Sequence, residues 1–271
     1  MNSDVSSTTY RAGIEFDLLE NSMLYAHLAT GFKQGGLNTS APPSEFKPEE
    51  LVAYELGMKN RFLDDRMQLN FEAFSYKYDQ MQAQMPMGVA IGDTGGMGFI
   101  MGILNAKEGT LSGFDLEMDY LFTQNDMVSV SGSYLSSEVG EFIIPGPNPF
   151  GLMAPFDMTG RQMSSSPEWA VTLAYEHTWV LDNGDTVTSR IDTKISAGYW
   201  NTLEQWLPYA WNDGYNRSNF NVTYRTADGK WSAGVWGSNL ENDAQYTWAV
   251  PFYRAQIKAP RTFGVSASFR Y

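Results

Sequence analysis

The amino-acid sequence predicts an all-β chain: an antiparallel, up-and-down segment of a transmembrane β-barrel, with about eleven strands and no helix. Three observations carry this reading. Apolar and polar residues alternate with period two over long stretches, as in Phe114, Leu116, Met118 and Tyr120 against Asp115, Glu117 and Asp119. Such a stretch has one apolar and one polar face as a strand. The connections also alternate in length. Short turns fall near 18–21, 62–65, 123–126, 182–185 and 227–230, and long loops near 32–49, 85–98, 139–165, 201–213 and 241–259. Tight turns on one side and long loops on the other are the asymmetry of an outer-membrane barrel. Finally, the chain ends on an aromatic with apolar residues at every second position before it: Phe263, Val265, Ala267, Phe269 and Tyr271. That ending has the form of an outer-membrane assembly signal.

Composition narrows the classes. No run approaches the ~18 apolar residues of a transmembrane helix, and strands that alternate leave the mean hydropathy unremarkable. Aromatics make up 14% of the 271 residues, which favours a barrel with interfacial girdles or a sugar-binding β module. A net charge of −13 argues against a nucleic-acid partner and against a basic membrane-surface mechanism. With no cysteine, neither disulfides nor thiolate metal sites are available, and His27 and His177 lie too far apart in sequence to suggest a zinc site. No cofactor is expected.

In chain order, Thr8–Asp17 reads as a strand that Leu18–Asn21 turns into Ser22–Thr30. The loop Phe32–Glu49 carries Gly35, Gly36, Pro42, Pro43 and Pro48, which forbid a regular ladder there. Strands Glu50–Phe62 and Arg66–Gln82 follow, and in the first Val52, Tyr54, Leu56 and Met58 alternate with Ala53, Glu55, Gly57 and Lys59. In the second the alternation slips near Ala73–Phe74, which predicts a bulge or the membrane rim. The Met- and Gly-rich stretch Met85–Gly98 reads as a flexible loop, with a methionine cluster for a soft metal as the alternative. Asn105–Phe122 is the cleanest strand. Its acidic row Asp115, Glu117, Asp119 would suit paired glycosidase carboxylates, but a wet lumen wall explains it with no added assumption.

Met127–Ser137 is the next strand, and the loop Val139–Ser165, containing PGPNPFG, has no period. Pro167–Leu181 and Thr186–Trp200 flank DNGD, a strong hairpin signal. Arg190, Asp192 and Lys194 share one face of the second strand. The loop Asn201–Asp213 places Trp206, Tyr209 and Trp211 either against a ligand or in the interfacial girdle. Tyr215–Thr226 and Trp231–Asn239 form another hairpin about ADGK, and a last loop leads to PRTFGVSASFRY.

Several of these stretches share identities as well as pattern. Gly31–Asn38 (GFKQGGLN) precedes Glu49, then Tyr54, Glu55, Leu56, Gly57 and Lys59, then Leu69, Asn70, Phe74, Tyr78 and Gln82. NAKEGTLSGFDLEM, WSAGVWGSNLEND with Tyr246 beyond it, and the terminal PRTFGVSASFRY follow in the same order. Together they resemble the barrel of TonB-dependent outer-membrane receptors, with Asp115 and Glu241 departing from the usual Glu and apolar residue. The resemblance covers nearly the whole chain, residues 1–271, as the C-terminal half of a 22-stranded receptor barrel. The N-terminus has neither the basic nor the apolar region of an export signal, which predicts a fragment whose plug domain and signal peptide are absent.

Function follows from that resemblance. Such a receptor binds a scarce ligand, most often an iron–siderophore complex, on its external loops, and moves it through a plugged barrel with energy delivered by TonB. The implied partners are outer-membrane lipid, the barrel assembly machinery, a small-molecule ligand, and the TonB complex through the missing plug. Trp206, Tyr209, Trp211, Met97 and Phe150 are the ligand-contact candidates, and Phe263, Val265, Phe269 and Tyr271 the assembly signal. Two other classes stay open: a small passive porin or adhesin barrel, which needs an even strand count, and a secreted carbohydrate-binding β-sandwich with an apolar interior. No nucleophile–base pair, phosphate loop or metal constellation points to an enzyme.

Overall fold

The computed structural model describes residues 7–39, 43–91, 96–144, 155–203, 205, 210–250 and 254–271; the side chains of 86–91, 96, 97, 99, 248–250, 254 and 255 are outside that description. Strands and their connections make up the described residues, with no α-helix among them. In order, the elements are β1 (Arg11–Leu19), β2 (Ser22–Lys33), β3 (Gly36–Leu37), β4 (Glu45–Phe46), β5 (Glu49–Phe62), β6 (Met67–Asp79), β7 (Gln82–Ile91) and β8 (Gly96–Asn105). They continue with β9 (Glu108–Leu121), β10 (Asp126–Val139), β11 (Ile143–Ile144), β12 (Phe156–Asp157), β13 (Trp169–Val180), β14 (Thr186–Ser196), β15 (Tyr199–Trp200) and β16 (Trp211–Asn212). The last are β17 (Tyr215–Arg225), β18 (Trp231–Ser238), β19 (Tyr246–Val250), β20 (Arg254–Ile257) and β21 (Thr262–Phe269).

Eleven long strands form one up-and-down sheet in the order β1-β2-β5-β6-β9-β10-β13-β14-β17-β18-β21. Each neighbouring pair is antiparallel, and each strand beyond the first follows its predecessor through a tight turn or a long connection, as the sequence predicts. Within the described residues β1 pairs only with β2, and β21 only with β18, so both outer edges are open. The DNGD and ADGK turns put Gly184 and Gly229 at φ 83° and 69°, the left-handed region that favours glycine.

Because paired residues share a face, the register carries each face across the sheet. One row runs Ile14, Ala26, Leu56, Ala73, Phe114, Tyr134, Trp169. On the opposite face the row is Glu15, Tyr25, Gly57, Glu72, Asp115, Ser133, Ala170, Ser196 and Tyr215. The apolar face is uncovered: Ile14 is 70% exposed, Leu56 60% and Val265 83%. Phe114, Leu116, Ala267 and Phe269 are also exposed, with Met118 and Tyr120 half-buried among their neighbours. A two-sheet sandwich would bury this face, so that alternative is corrected.

Aromatic rings gather at both ends of the apolar belt. Toward the long loops, Phe114 stacks between Phe71 (6.0 Å) and Tyr134 (5.3 Å). Toward the tight turns, Phe122 meets Tyr175 at 6.3 Å, and Trp231 meets Phe269 at 4.6 Å. Along β10 these bands lie about eight residues apart, roughly 26 Å of strand at ~3.3 Å per residue, or about 20 Å of membrane depth at a ~40° tilt. The turn-side tyrosines have polar tips with partners: Tyr175 donates to Asp126 (2.7 Å) and Tyr224 to Asp185. The Asp185 carboxyl, in the turn itself, is held below the usual carboxylate range first by the Tyr224 hydroxyl and then by the Ala227 amide.

Two expectations fail in the middle of the sheet and above it. Strand β6 has no bulge at Ala73–Phe74; its register with β5 and β9 is unbroken, and the one irregularity at the sheet's start lies between Asp17 and Leu19. Phe74 breaks the apolar-out pattern because its ring turns inward, over Gly113 of β9. Over its described residues, the stretch Met85–Gly98 is also not a flexible loop. Its two halves belong to the ten-residue strands β7 and β8, paired from Gln82–Asn105 to Ile91–Gly96. Its Val and Ile favour an extended ribbon, and Pro86 is tolerated in a two-stranded pairing.

The other long connections behave alike, for each carries one two-stranded ribbon: β3–β4, β11–β12, β15–β16 and β19–β20. Inner-face glycines elsewhere serve the same purpose as Gly113. The Tyr25 ring lies over Gly57, where a Cβ would collide with it. Gly57→Val is therefore expected to destabilise the folded protein by about 1–3 kcal/mol. Tyr25→Ala in the same chain should recover part of the loss in a denaturant-unfolding cycle; strictly additive losses would contradict this packing.

Candidate functional site

The polar motif residues hold together the end of the molecule that carries the long connections. Asn38, closing GFKQGGLN, imitates a strand partner: its Oδ1 accepts from the Ile103 amide (2.9 Å) and its Nδ2 donates to the Ile103 carbonyl (2.8 Å). Asn105 of β8 does likewise for Lys47, accepting from its amide (2.7 Å) and donating to its carbonyl (3.0 Å), with a further bond to the Gln80 carbonyl. Glu49 accepts the Gln82 amide at 2.6 Å, and the Gln82 side chain donates to the carbonyls of Gln34 and Lys47. These residues tie the first long loop to the β7–β8 ribbon.

The last loop is fastened in the same manner. Asn239 is fully buried at φ 54°, donates to the carbonyls of Asp243 (3.0 Å) and Ala259 (3.1 Å), and accepts from the Asp243 amide (3.0 Å). Glu241, which stands where an apolar residue was expected, accepts from the Ser218 amide (2.8 Å) and hydroxyl (2.5 Å). Its polarity is thus used at a strand end.

Between ribbons lies a small apolar core. Met85, Ala106, Val139, Phe142, Ile144 and Met158 are buried there, and Tyr78 packs against them from the top of β6. Met85, the one methionine of Met85–Gly98 whose side chain is described, is therefore core. Among the described residues no group of three His, Cys, Asp or Glu is arranged to hold a metal ion.

Below the ribbons, the inner wall divides by charge. The Tyr25 hydroxyl donates to Glu72, and that of Tyr76 to Glu55 at 2.9 Å. His27 lies 3.8 Å from Glu15 and 3.7 Å from Glu55. Asp115 and Glu117 form one bank of a groove of about 350 Å³, Lys194 is on the other, and Ser131, Ser133, Ala170 and Thr172 are among the small residues lining it. The acidic row is thus part of a polar wall.

Of the residues singled out for ligand contact, Trp211 is placed. It pairs with Trp200 in β15–β16, their rings 5.2 Å apart, and its indole N–H donates to Asp213 at 2.8 Å. It lines a groove of about 500 Å³ with Glu138, Gln162 and Glu168. Trp206, Tyr209 and Phe150 lie outside the described residues, and Met97 is described only as backbone in β8. The loop-fastening Asn and Glu residues are what a search for chemistry misses, because their motif identities alone do not say what they bond.

The model of the family described as TonB dependent receptor-like, beta-barrel, matches residues 2–240. A curated relative, a probable TonB-dependent siderophore receptor PiuA of Acinetobacter baumannii, is 29% identical over 148 residues, covering 51% of this chain and 18% of its own. The crystal structure of the siderophore receptor PiuA from that organism superposes with a TM-score of 0.72 at 22% identity, over 97% of this chain and 36% of the other. That of the ferric yersiniabactin uptake receptor FyuA from Yersinia pestis also gives 0.72, at 16% identity, over 96% and 36%. The chain thus spans about a third of the solved receptor chains it matches.

Proposed function

This chain belongs to the TonB dependent receptor-like β-barrel family, and from that premise we propose that it supplies the C-terminal half of the barrel of an outer-membrane receptor that takes up an iron–siderophore complex. The observation that supports this best is the single sheet of eleven strands with two open edges. Strands β1 and β21 run in the same direction, because ten antiparallel steps separate them. A regular seam cannot form between them. A second set of eleven strands, beginning and ending in the opposite direction, would pair both edges and complete 22.

In this reading the apolar belt faces outer-membrane lipid, and the strand ending Phe263, Val265, Phe269, Tyr271 is read by the barrel assembly machinery. A plug domain in the other half carries the contact with TonB. The ribbons gather ligand contacts at the external mouth, where Trp211 with Trp206, Tyr209, Phe150 and Met97 would meet the chelate. A rigid sheet with variable loops is a common division between scaffold and recognition. Deleting 85–98, 139–165 and 201–213 one at a time, in the complete receptor, should each weaken binding of a ferric siderophore. Unchanged affinity in all three would place the ligand elsewhere.

A further inference from the structure

Three cations meet on the inner wall, and among the described residues none of them is ion-paired with a carboxylate. Lys194 of β14 and Arg217 of β17 are directly paired in register and share the inner face. Like charges directly opposite each other destabilise a sheet, and they are the more notable in a chain of net charge −13. Lys258, half-buried in the last connection, completes the group. Its amine is pushed below the usual lysine range by burial first, then by Arg217 and Lys194, against an opposing effect of Asp243.

The neighbouring carboxylates are engaged elsewhere. Asp192 accepts from the Asn219 amide group (2.8 Å), Asp243 from Gln245 (2.9 Å) and Glu241 from Ser218. Among the described residues none forms an ion pair with the three cations. Arg217 gives one N–H to the Ala259 carbonyl (2.8 Å), and Lys258 one to Gln245 Oε1 (2.9 Å) while its amine lies 5.5 Å from the centre of the Tyr215 ring. These two bonds hold the heads in place yet leave most of five guanidinium and three ammonium donors without an acceptor among the described residues.

We propose that Lys194, Arg217 and Lys258 form a recognition site for an anionic, oxygen-rich metal chelate on the inner wall beneath the external loops. The site deepens the receptor reading and rests on it. A guanidinium with two ammonium groups matches an acceptor of high negative charge, and offers little to a neutral one. The chelate supplies a counter-charge to the three cations.

The test uses outer membranes carrying the complete receptor and two probes, a trianionic ferric tris-catecholate and a neutral ferric tris-hydroxamate. The wild type should bind the trianion more tightly. Lys194→Gln, Arg217→Gln and Lys258→Gln should each weaken it by about tenfold, leaving the neutral probe within about twofold. Lys194→Arg should retain the trianion. Lys194→Gln should also raise the denaturation midpoint, since it removes like-charge repulsion; this separates a ligand site from a structural one. Trianion binding unchanged by all three neutral variants, or preference for the neutral probe, overturns the site and leaves the receptor reading standing. Equal loss of both probes places the cations in assembly and also overturns it. Binding of neither probe by the wild type counts against the receptor reading and the site together.

Discussion

Leu173→Arg is expected to lower the stability of the membrane-inserted protein by about 2–4 kcal/mol, whereas Thr172→Arg, one residue away, should cost far less. Leu173 lies on the apolar face, 42% exposed, paired with Val130 and midway between the two aromatic bands. Thr172 is on the opposite, groove-lining face beside Ser131. A guanidinium at Leu173 would sit near the middle of the hydrocarbon, where neither water nor a counter-ion reaches it. At Thr172 the same group would reach the polar wall and the bank of Asp115 and Glu117. Urea unfolding from lipid vesicles, with the complete barrel, measures both. Equal losses for the two variants would show that the faces are not distinguished by lipid and lumen.

Asn239→Ala should be the most damaging single change at the external end, about 3 kcal/mol. Its side chain makes three hydrogen bonds, each worth ~0.5–1.5 kcal/mol net, and no water replaces them at a fully buried site. The left-handed backbone at φ 54° suits asparagine and costs alanine ~1 kcal/mol more. The loss should be local first. Limited proteolysis is expected to cut within residues 241–259 well before the sheet unfolds, and Asn239→Asp should be no milder, since it keeps only the bond from the Asp243 amide and sets a buried carboxylate against two carbonyl oxygens. A variant as resistant as the wild type would mean that the last loop is held by other contacts.

The sheet was legible because lipid and water enforce a strict pattern. Most strands alternate apolar with polar residues, and two of the five tight turns carry Asn-Gly or Asp-Gly. Strand order then follows from simple adjacency. Phe74 misled the pattern because an inner-face aromatic over Gly113 is a pairwise fit between strands, and one strand read alone cannot show it. The ribbons above the sheet were hidden for a related reason. The β7–β8 hairpin is held by partners distant in the chain, such as Asn38 on Ile103 and Glu49 on Gln82, 65 and 33 residues apart.

The site was legible only in part. Trp211 is identifiable as an exposed-loop aromatic, yet its pairing with Trp200 depends on the β15–β16 ribbon. Lys194, Arg217 and Lys258 carry no motif at all. Lys194 and Arg217 are brought together by register, and Lys258 by the bond from Arg217 to Ala259.

The half-barrel itself is tested most directly by heat modifiability after refolding in detergent, with and without the barrel half that would precede this chain. Each open edge would leave unpaired N–H and C=O groups in an apolar phase, costing several kcal/mol or so apiece. The chain alone should therefore migrate at one position whether heated or not. Refolded with the other half, it should join a compact species whose mobility changes on boiling. A compact, heat-modifiable monomer formed by this chain alone would contradict the account.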